Sequence, residues 1–496
     1  MTRPVPASAG ARCVAAAQAG PRPAAAPAVA AGQRLLEWLF FASVILAVMP
    51  FGAVHTVPLG LSALCTCLIL VLSLGRPVSN PAVGRLLLDA ALVAAVLVGL
   101  LVLQRIPAQS LLAVDPAGNR LSQDFGVVRP TISINSEATA WSLVPLVAPI
   151  LSFVAALIVF GSDRAAFRLA RFLRVFGLSV VVFGLAQFLL VPNTILIFEK
   201  WTYLGSLTAT FVNRNSAATF LGLVALIWFG QFLGTTRKLD WGDLAERTCS
   251  FQWRGDDAVA DTLRAACAAM LSLVALFLSA SRGGLIATAI GFLVVFAVMG
   301  VRTQNRDVGP NWRSIVGYGS IVTGFILFGG LALQRLNEHG ADDSRFCTYW
   351  STLSAVGDNW LFGTGFGTFA DIFPLYRDVA CAGIEGVWDR AHNSYLEATL
   401  GLGVSFLAIL LLVLWRLVSM FRRGVGWRHR QRHLVATGLG ALVLVATHAG
   451  VDFSIQIHGV AMYAASILAM ASVVALGRGE SSCGTESKNK SDVPGK

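Results

Sequence analysis

Residues 271–300 read LSLVALFLSASRGGLIATAIGFLVVFAVMG, which is two apolar runs separated by the polar segment SASRGG. We place the runs at about 265–281 and 284–301. A helix needs about 20 apolar residues to cross the hydrocarbon layer of a membrane, so the combined run is too long for one span. Gly283 and Gly284 can interrupt a helix. The sequence therefore predicts two membrane-spanning helices joined by a tight turn.

Apolar runs of this length recur along the whole chain. Of its 496 residues 55% are hydrophobic and 13% are charged, and the mean hydropathy is +0.69. Such a composition cannot supply the polar surface of a soluble protein, so it predicts an all-α polytopic membrane protein. We predict about twelve spans, at roughly 35–54, 57–74, 86–104, 142–161, 175–191, 215–233, 265–281, 284–301, 314–333, 394–415, 434–450 and 459–476.

The arginines are concentrated in alternate connections between the predicted spans, at 76–85, 162–174, 302–313 and 416–432. Loops rich in arginine stay on the cytoplasmic side, which predicts that both termini are cytoplasmic. The long connection 334–393 then forms a large periplasmic loop. The net charge of +11 is spread over these loops and forms no basic patch with interleaved aromatics, which argues against nucleic-acid binding.

Three regions follow from this pattern. Residues 1–34 and 477–496 are polar or rich in Ala, Pro and Gly, and we interpret them as disordered cytoplasmic tails. Residues 35–476 form one transmembrane domain that contacts membrane lipids. Four polar segments lie near span ends on the predicted outer side, namely FVNRNSAATF (211–220), SASRGG (279–284), DDSRFCTYW (342–350) and AHNSYLE (391–397).

Arginines in these segments are candidate ligands for an anion. Arg282 lies between two apolar runs, where a guanidinium is costly unless it meets a negative charge. Snorkelling to lipid headgroups or pairing with a structural carboxylate is the alternative for Arg282. Arg345 could instead form a local ion pair with Asp342 and Asp343, and Arg214 could be a headgroup anchor.

His392 is the candidate base. Ser394 and Glu397 have the S-x-x-E spacing of a capping box at the start of the tenth predicted span, which gives Glu397 a structural role. His392 would then lie beside the positive end of a helix dipole, which favours the neutral imidazole that a general base requires. An ordinary loop histidine is the alternative.

Other residue types point to structure rather than chemistry. Cys347 and Cys381 both fall in the predicted periplasmic loop, where an oxidising compartment allows a disulfide between them. No His/Cys cluster or D-x-D-like motif has metal-site spacing, so we expect neither a metal nor a cofactor. The glycine-rich GTGFGTF (363–369) follows no predicted strand, and we interpret it as a turn that packs closely.

One neutral base and several outward-facing arginines suit transfer of a sugar from a lipid diphosphate. Guanidinium groups stabilise the negative charge of the departing diphosphate, and the base takes the proton of the acceptor hydroxyl. The sequence has one candidate base and no evident covalent nucleophile, which favours inversion at the anomeric carbon.

Several motifs resemble, in order, those of the O-antigen ligase and O-antigen polymerase superfamily of bacterial inner-membrane proteins. The matching segments, which cover about residues 205–460, are FVNRNSAATFLGL, SASRGGLIA, DDSRFCTYWSTL, LFGTGFGTF, AHNSYLEATLGLG and, more weakly, THAGVDFSIQIHG.

This resemblance implies a GT-C-like glycosyltransferase architecture and a metal-independent transfer of glycan at the periplasmic face. The implied donor is a glycan linked to undecaprenyl diphosphate, and the implied acceptor is lipid A–core or another glycan. His392 corresponds to the family's base, and Arg282 and Arg345 to its diphosphate-binding arginines. Arg214 lies at a variable position of the F-x-N-x-N pattern.

Alternatives remain open at this point. An exopolysaccharide or O-antigen polymerase of the same superfamily would use the same residues with another acceptor. A membrane transporter would need ionisable groups along a path at mid-membrane, where Asp89, His448 and Asp452 are the few candidates. A structural subunit of an envelope polysaccharide assembly would need no base.

Overall fold

The computed structural model describes residues 27–78, 80–107, 131–236, 239, 247, 257–300, 343–378 and 388–477. Most of both predicted tails and the predicted span 314–333 lie outside the described residues.

The described chain is almost entirely helical. In chain order its helices are α1 (Pro27–Val48), α2 (Thr56–Leu72), α3 (Pro81–Arg105), α4 (Ser136–Trp141), α5 (Leu143–Val159), α6 (Asp163–Leu190), α7 (Arg214–Thr236), α8 (Asp257–Leu278), α9 (Arg282–Gly300), α10 (Asp343–Asp358), α11 (Phe369–Tyr376), α12 (Ser394–Leu402), α13 (Val404–Trp427), α14 (Arg432–Ala449) and α15 (His458–Leu476). A two-stranded antiparallel ribbon of β1 (Thr194–Ile195) and β2 (Phe198–Glu199) follows α6, and 3-10 turns cover Phe51–Ala53 and Ser454–Gln456.

Ten helical segments of the described residues are long and apolar enough to cross a membrane, and α2 is a shorter apolar helix. The predicted fold class, an all-α polytopic membrane protein, is therefore confirmed. Helix α1 begins at Pro27, eight residues before the predicted first span, so residues 27–34 are helical and were wrongly assigned to a disordered tail.

Helix α6 begins at Asp163, whereas the corresponding span was predicted from residue 175. Ser162 caps the helix by accepting a hydrogen bond from the Ala165 amide at 3.4 Å, and Asp163 lies at its positive end. The arginines of this segment are therefore helical and do not lie in a loop. A helix of 28 residues is about 42 Å long, more than the hydrocarbon layer needs, so part of α6 extends beyond that layer.

The predicted span 394–415 is divided into α12 and α13 at Gly403. This glycine has φ 63° and ψ −154°, a conformation that is essentially closed to other residues. A Cβ at this position would also lie 2.4 Å from the carbonyl oxygen of Leu361. The chain therefore turns between a short helix and a separate membrane-spanning one.

Helices α7 and α15 form the centre of the bundle. Of the 18-residue apolar stretch of α15, 89% is buried inside the protein. The corresponding value for α13 is 17%, so most of the surface of α13 faces outward. Tyr463 of α15 is fully buried, and its hydroxyl donates to the Leu173 carbonyl of α6 at 2.8 Å. The central helices therefore position the connections at both of their ends.

The connections 192–213, 279–281 and 450–457 meet at one end of the bundle, which we call the site end. The Leu207 amide donates to the Leu278 carbonyl there at 2.9 Å, and Asn215 of α7 contacts Asp452. At the opposite end the arginine-rich segments lie together, for example where Arg428 pairs with Asp163.

The described parts of the segment between α9 and α13, which are α10, α11 and α12 with their connections, pack onto the site end. Helices α10 and α11 enclose a small apolar cluster with Phe369, Phe373 and Ala391. In the glycine-rich turn before α11, Gly365 has φ 100°, and a Cβ there would lie 2.3 Å from Ser133 Oγ. The interpretation of residues 363–369 as a closely packed turn is confirmed.

Cys347 of α10 takes part in a disulfide bond. Its predicted partner, Cys381, lies outside the described residues, so the pairing of the two remains a prediction.

Candidate active site

His392 lies in the connection just before α12 and has a left-handed backbone with φ 52°. Histidine is one of the few non-glycine residues that tolerate this region, and single residues there often mark functional sites. The Tyr349 hydroxyl of α10 donates to the His392 carbonyl at 2.9 Å and holds the turn. Trp388 and Phe453 contact the imidazole edge-on, with ring centroids at 5.5 and 5.0 Å.

The imidazole of His392 faces the carboxylate of Asp452. The distance from His392 Nδ1 to Asp452 Oδ1 is 3.6 Å, and the two side chains are 21% and 1% exposed. This distance is longer than a hydrogen bond, and Nδ1 has no hydrogen-bond partner in the described part of the chain. We therefore describe the pair as an electrostatic contact, of a kind that often shortens when substrate binds.

Asp452 is held by several donors in addition to the histidine. Asn215 Nδ2 donates to Asp452 Oδ1 at 2.9 Å, and the Ser454 hydroxyl donates to Oδ2. Burial raises the pKa of Asp452, but the neighbouring imidazoles of His392 and His448 and these hydrogen bonds lower it by more. The net effect keeps the pKa of Asp452 below its usual value, so the carboxylate is ionised at neutral pH.

The predicted capping box is wrong. The cap of α12 is Asn393, whose side chain accepts hydrogen bonds from the Tyr395 and Leu396 amides at 3.0 and 3.1 Å. Asparagine competes well with serine at this position, because its oxygen also reaches the first free amides. The Ser394 hydroxyl points elsewhere and donates to the Asp452 carbonyl at 3.0 Å.

Glu397 has a structural role, but its partners differ from those predicted. It accepts hydrogen bonds from the Ala391 amide at 2.9 Å and from Arg390 Nη1 at 3.0 Å. Arg390 also donates to Gln456 Oε1 at 2.8 Å, which ties the segment before His392 to the 450–457 turn. Glu397 therefore stabilises the loop that carries the candidate base.

Arg282 is the first residue of α9 and is half-buried. The chain turns before it, where Ala280 has φ 54°, and the Ser281 hydroxyl accepts from the Gly284 amide at 3.3 Å. The predicted interruption at the two glycines is therefore wrong, since both lie inside α9. A Cβ on Gly283 would meet His448 Nε2 at 3.0 Å, so this glycine serves close helix packing.

Arg345 lies in the first turn of α10, and its Nη1 donates to the Val451 carbonyl at 3.3 Å. It is also close enough to His448 to act on it electrostatically. The alternative of a local pair with Asp342 and Asp343 involves side chains outside the described part of the structure.

Arg214 begins α7. Its guanidinium lies over the Tyr203 ring at 5.4 Å, and its buried Nε has no hydrogen-bond partner among the described residues.

The turn 450–457 is where the predicted segments meet. It contacts His392 and Arg345 directly, and Asn215 binds both Asp452 and the Ser281 hydroxyl, the latter at 2.8 Å. Arg214 and Arg282 directly precede and follow these two polar residues, and consecutive Cα atoms are about 3.8 Å apart. His392 and Arg345 therefore belong to one polar cluster around Asp452, and Arg214 and Arg282 begin helices at the same end of the bundle.

Asp452 and Asn215 are the members that sequence reasoning did not assign to the site. Asp452 was considered only as a transporter residue, although it lies in THAGVDFSIQIHG, the weakest of the matching motifs. Within the described residues no group of three His, Cys, Asp or Glu side chains is placed to hold a metal ion.

Residues 267–405 match a family model described as O-antigen ligase. No curated protein matches the chain. The matched region contains Arg282, Arg345 and His392, whereas Arg214 and Asp452 lie outside it. The resemblance inferred from the motifs is confirmed, and it supports a glycan-transferring activity of the ligase or polymerase type.

Proposed function

We propose that this protein transfers a glycan from undecaprenyl diphosphate to an acceptor hydroxyl. The transfer takes place at the periplasmic face of the bacterial inner membrane. The match of residues 267–405 to the O-antigen ligase family supports this proposal. The proposed acceptor is lipid A–core or a related glycan. The observation that carries the proposal is the contact between His392 and an ionised Asp452, 3.6 Å apart, within a cluster that includes Arg345.

In the proposed reaction His392 acts as the general base. Its Nδ1 faces Asp452, which leaves Nε2 to take the proton of the acceptor hydroxyl. The acceptor oxygen forms a bond to the anomeric carbon while the bond from that carbon to the diphosphate oxygen breaks. Asp452 stabilises the imidazolium that results, in the manner of the carboxylate in a catalytic triad. A single displacement of this kind inverts the anomeric centre.

The departing undecaprenyl diphosphate takes the electron pair of the broken bond and needs positive charge nearby. Arg282, Arg345 and Arg214 supply guanidinium groups, which suit phosphate oxygens because they donate several hydrogen bonds in a planar fork. The guanidinium of Arg214 lies over the Tyr203 ring, 5.4 Å from its centroid. Stabilisation of charge in the transition state is the largest contribution that such a site can make.

The arrangement argues against a transporter. Asp89 pairs with Arg416 at 2.7 Å, between α3 and α13, and is not part of the polar cluster. His448 and Asp452 belong to the cluster at the site end, where His448 Nδ1 lies 2.5 Å from the Thr219 hydroxyl. The ionisable groups considered for a transport path therefore do not follow one path through the described bundle.

Replacement of His392 by Ala tests the proposal in the native host. Loss of the base should reduce glycan transfer by about 10²–10⁴-fold and cause the lipid-linked donor to accumulate. The matched control is His55→Ala, which removes an exposed histidine at the same end of the bundle, and Arg345→Ala tests the diphosphate site in parallel. A wild-type surface glycan with normal levels of the His392→Ala protein would refute the proposal.

The product of the same strains distinguishes a ligase from a polymerase, the second candidate. Long lipid-linked chains that remain unattached indicate a ligase that attaches finished glycan to lipid A–core. Single repeat units on the acceptor or on the lipid indicate a polymerase.

A further inference from the structure

A cavity of about 620 Å³ lies at the opposite end of the bundle from the candidate active site. It opens between three helices, with Phe167, Ala170 and Arg174 from α6, Gln231 and Gly234 from α7, and the segment 429–434 that leads into α14. None of these residues belongs to the polar cluster around His392.

Among the described residues, four basic side chains line the cavity. Arg174 and Arg430 contribute guanidinium groups, and His429 and His433 contribute imidazoles. None of the described side chains that line the cavity is acidic. Asp261, which acts on Arg174 from α8, is already paired with Arg264.

Arg174 is held in position by groups of α7. Its Nη1 donates to Gln231 Oε1 at 2.7 Å, its guanidinium lies 5.7 Å from the Trp228 ring centroid, and the Trp228 indole donates to its carbonyl at 3.2 Å. These contacts fix one edge of the guanidinium and direct the group toward the cavity. A pre-oriented guanidinium of this kind suits the oxygens of a phosphate group.

Two further observations indicate that the ligand is an anion that also carries a hydroxyl group. Helix α14 begins at the cavity without a side-chain cap at Gln431, so its positive end adds to the positive potential of the lining. The Gln431 Oε1 atom is buried and has no hydrogen-bond partner among the described residues, so it can accept from a hydroxyl of the ligand.

The rest of the lining is apolar, with Phe167 exposed at 37% beside Ala170 and Leu434. A free phosphate would leave these side chains without a partner, whereas a lipid has a glycerol and acyl region to cover them. Basic cavities between membrane-spanning helices bind anionic headgroups in this way.

We propose that this cavity is a binding site for the phosphate headgroup of an anionic glycerophospholipid, with Arg174 and Arg430 as its main phosphate ligands. The site is separate from the transfer reaction and does not depend on the proposed function.

The test uses the purified full chain in a zwitterionic detergent. The unfolding temperature is followed during titration with dihexanoyl phosphatidylglycerol, dihexanoyl phosphatidylcholine or sodium phosphate. A ligand that binds the folded state raises this temperature by an amount that grows with the ratio of its free concentration to its Kd. Only phosphatidylglycerol should raise it at low concentration. An equal shift with phosphatidylcholine would overturn the proposal, and an equal shift with sodium phosphate would assign the site to a soluble phosphate instead.

Two variants locate the binding. Arg430→Gln removes an exposed charge and should weaken apparent phosphatidylglycerol affinity about tenfold, the loss expected for one charge-assisted contact. Ala170→Leu fills the cavity without a change of charge and should weaken it as well. Arg422→Gln, which removes an exposed arginine outside the cavity, should bind as the wild type does. Unchanged affinity in both cavity variants would overturn the proposal.

Discussion

His392 adopts a backbone conformation with φ 52°, and hydrogen bonds on both sides of it hold the turn. Asn393 caps α12 immediately after it, Tyr349 binds its carbonyl, and Glu397 binds the Ala391 amide immediately before it. A strained residue persists only where its surroundings determine its conformation, at a cost of about 1–3 kcal/mol. These hydrogen bonds offset the free-energy cost of the strained backbone, and in this conformation the imidazole faces Asp452.

Asp452 should act as a positioning residue for His392. Its pKa is held below the usual value, so the carboxylate is ionised at neutral pH. Substitution Asp452→Asn keeps the size and an acceptor for the Asn215 amide but removes the negative charge. Glycan transfer by the purified protein should fall by at least about 10²-fold, because the imidazolium formed in the reaction loses its counter-ion.

The kinetic constants separate this role from a structural one. The carboxylate stabilises the imidazolium that forms during the reaction, so kcat should fall in Asp452→Asn while KM stays near the wild-type value. A variant that only loosens the fold would lower the unfolding temperature and the fraction of active protein instead. A wild-type kcat, or a loss of rate that is matched by a lower unfolding temperature, would contradict the positioning role.

At the scale of elements, the junction of α12 and α13 connects the site to the membrane-spanning bundle. Gly403 lets the chain change direction there, and the Val404 amide donates to the Trp360 carbonyl at 2.8 Å. The short helix α12 can therefore present His392 to the 450–457 turn independently of the direction of α13.

Substitution Gly403→Ala should destabilise the protein by about 1–3 kcal/mol, because the alanine must adopt a conformation that is essentially restricted to glycine. The clash with the Leu361 carbonyl adds to this cost. The unfolding temperature in detergent measures the effect. Gly60→Ala in α2 is the matched control, since a Cβ there meets nothing within 4 Å and alanine is the better helix former. Equal unfolding temperatures for the two variants would refute the proposed role of the junction.

At the scale of the whole molecule, the two ends of the bundle differ in chemistry. The site end gathers the candidate base, three candidate arginines and a buried carboxylate. The opposite end holds the arginine-rich segments and ion pairs such as Arg168–Glu37, at 2.6 Å. The excess of arginine there predicts that this end faces the cytoplasm.

Single cysteines test this orientation in a background from which the accessible native cysteines have been removed. Leu204→Cys places a thiol on an exposed position at the site end, and Arg423→Cys places one on an exposed position at the opposite end. A membrane-impermeant maleimide added to cells with a permeabilised outer membrane should label residue 204 and leave residue 423 unlabelled until the inner membrane is broken. The reverse pattern would place the candidate site in the cytoplasm and contradict the proposed function.

The sequence predicted some elements well and others poorly, for identifiable reasons. Long apolar runs locate α7, α9 and α15 to within a few residues, because the length of a span depends on local hydropathy. The start of α6 was placed twelve residues too late, because its arginines were taken as a sign of a loop although they are good helix formers. The cap of α12 was assigned to Ser394 because two adjacent residues can both cap a helix and only the backbone geometry selects one.

By itself the sequence determined that this is a polytopic helical membrane protein with polar motifs resembling those of the O-antigen ligase superfamily, since hydropathy and short motifs are properties of neighbouring residues. Only the tertiary structure decided that Asp452 faces His392, that Asn215 links it to Ser281, and that a basic cavity forms between α6, α7 and α14. These contacts join residues that are far apart in the chain. They depend on how the central helices pack, and no local pattern encodes that packing.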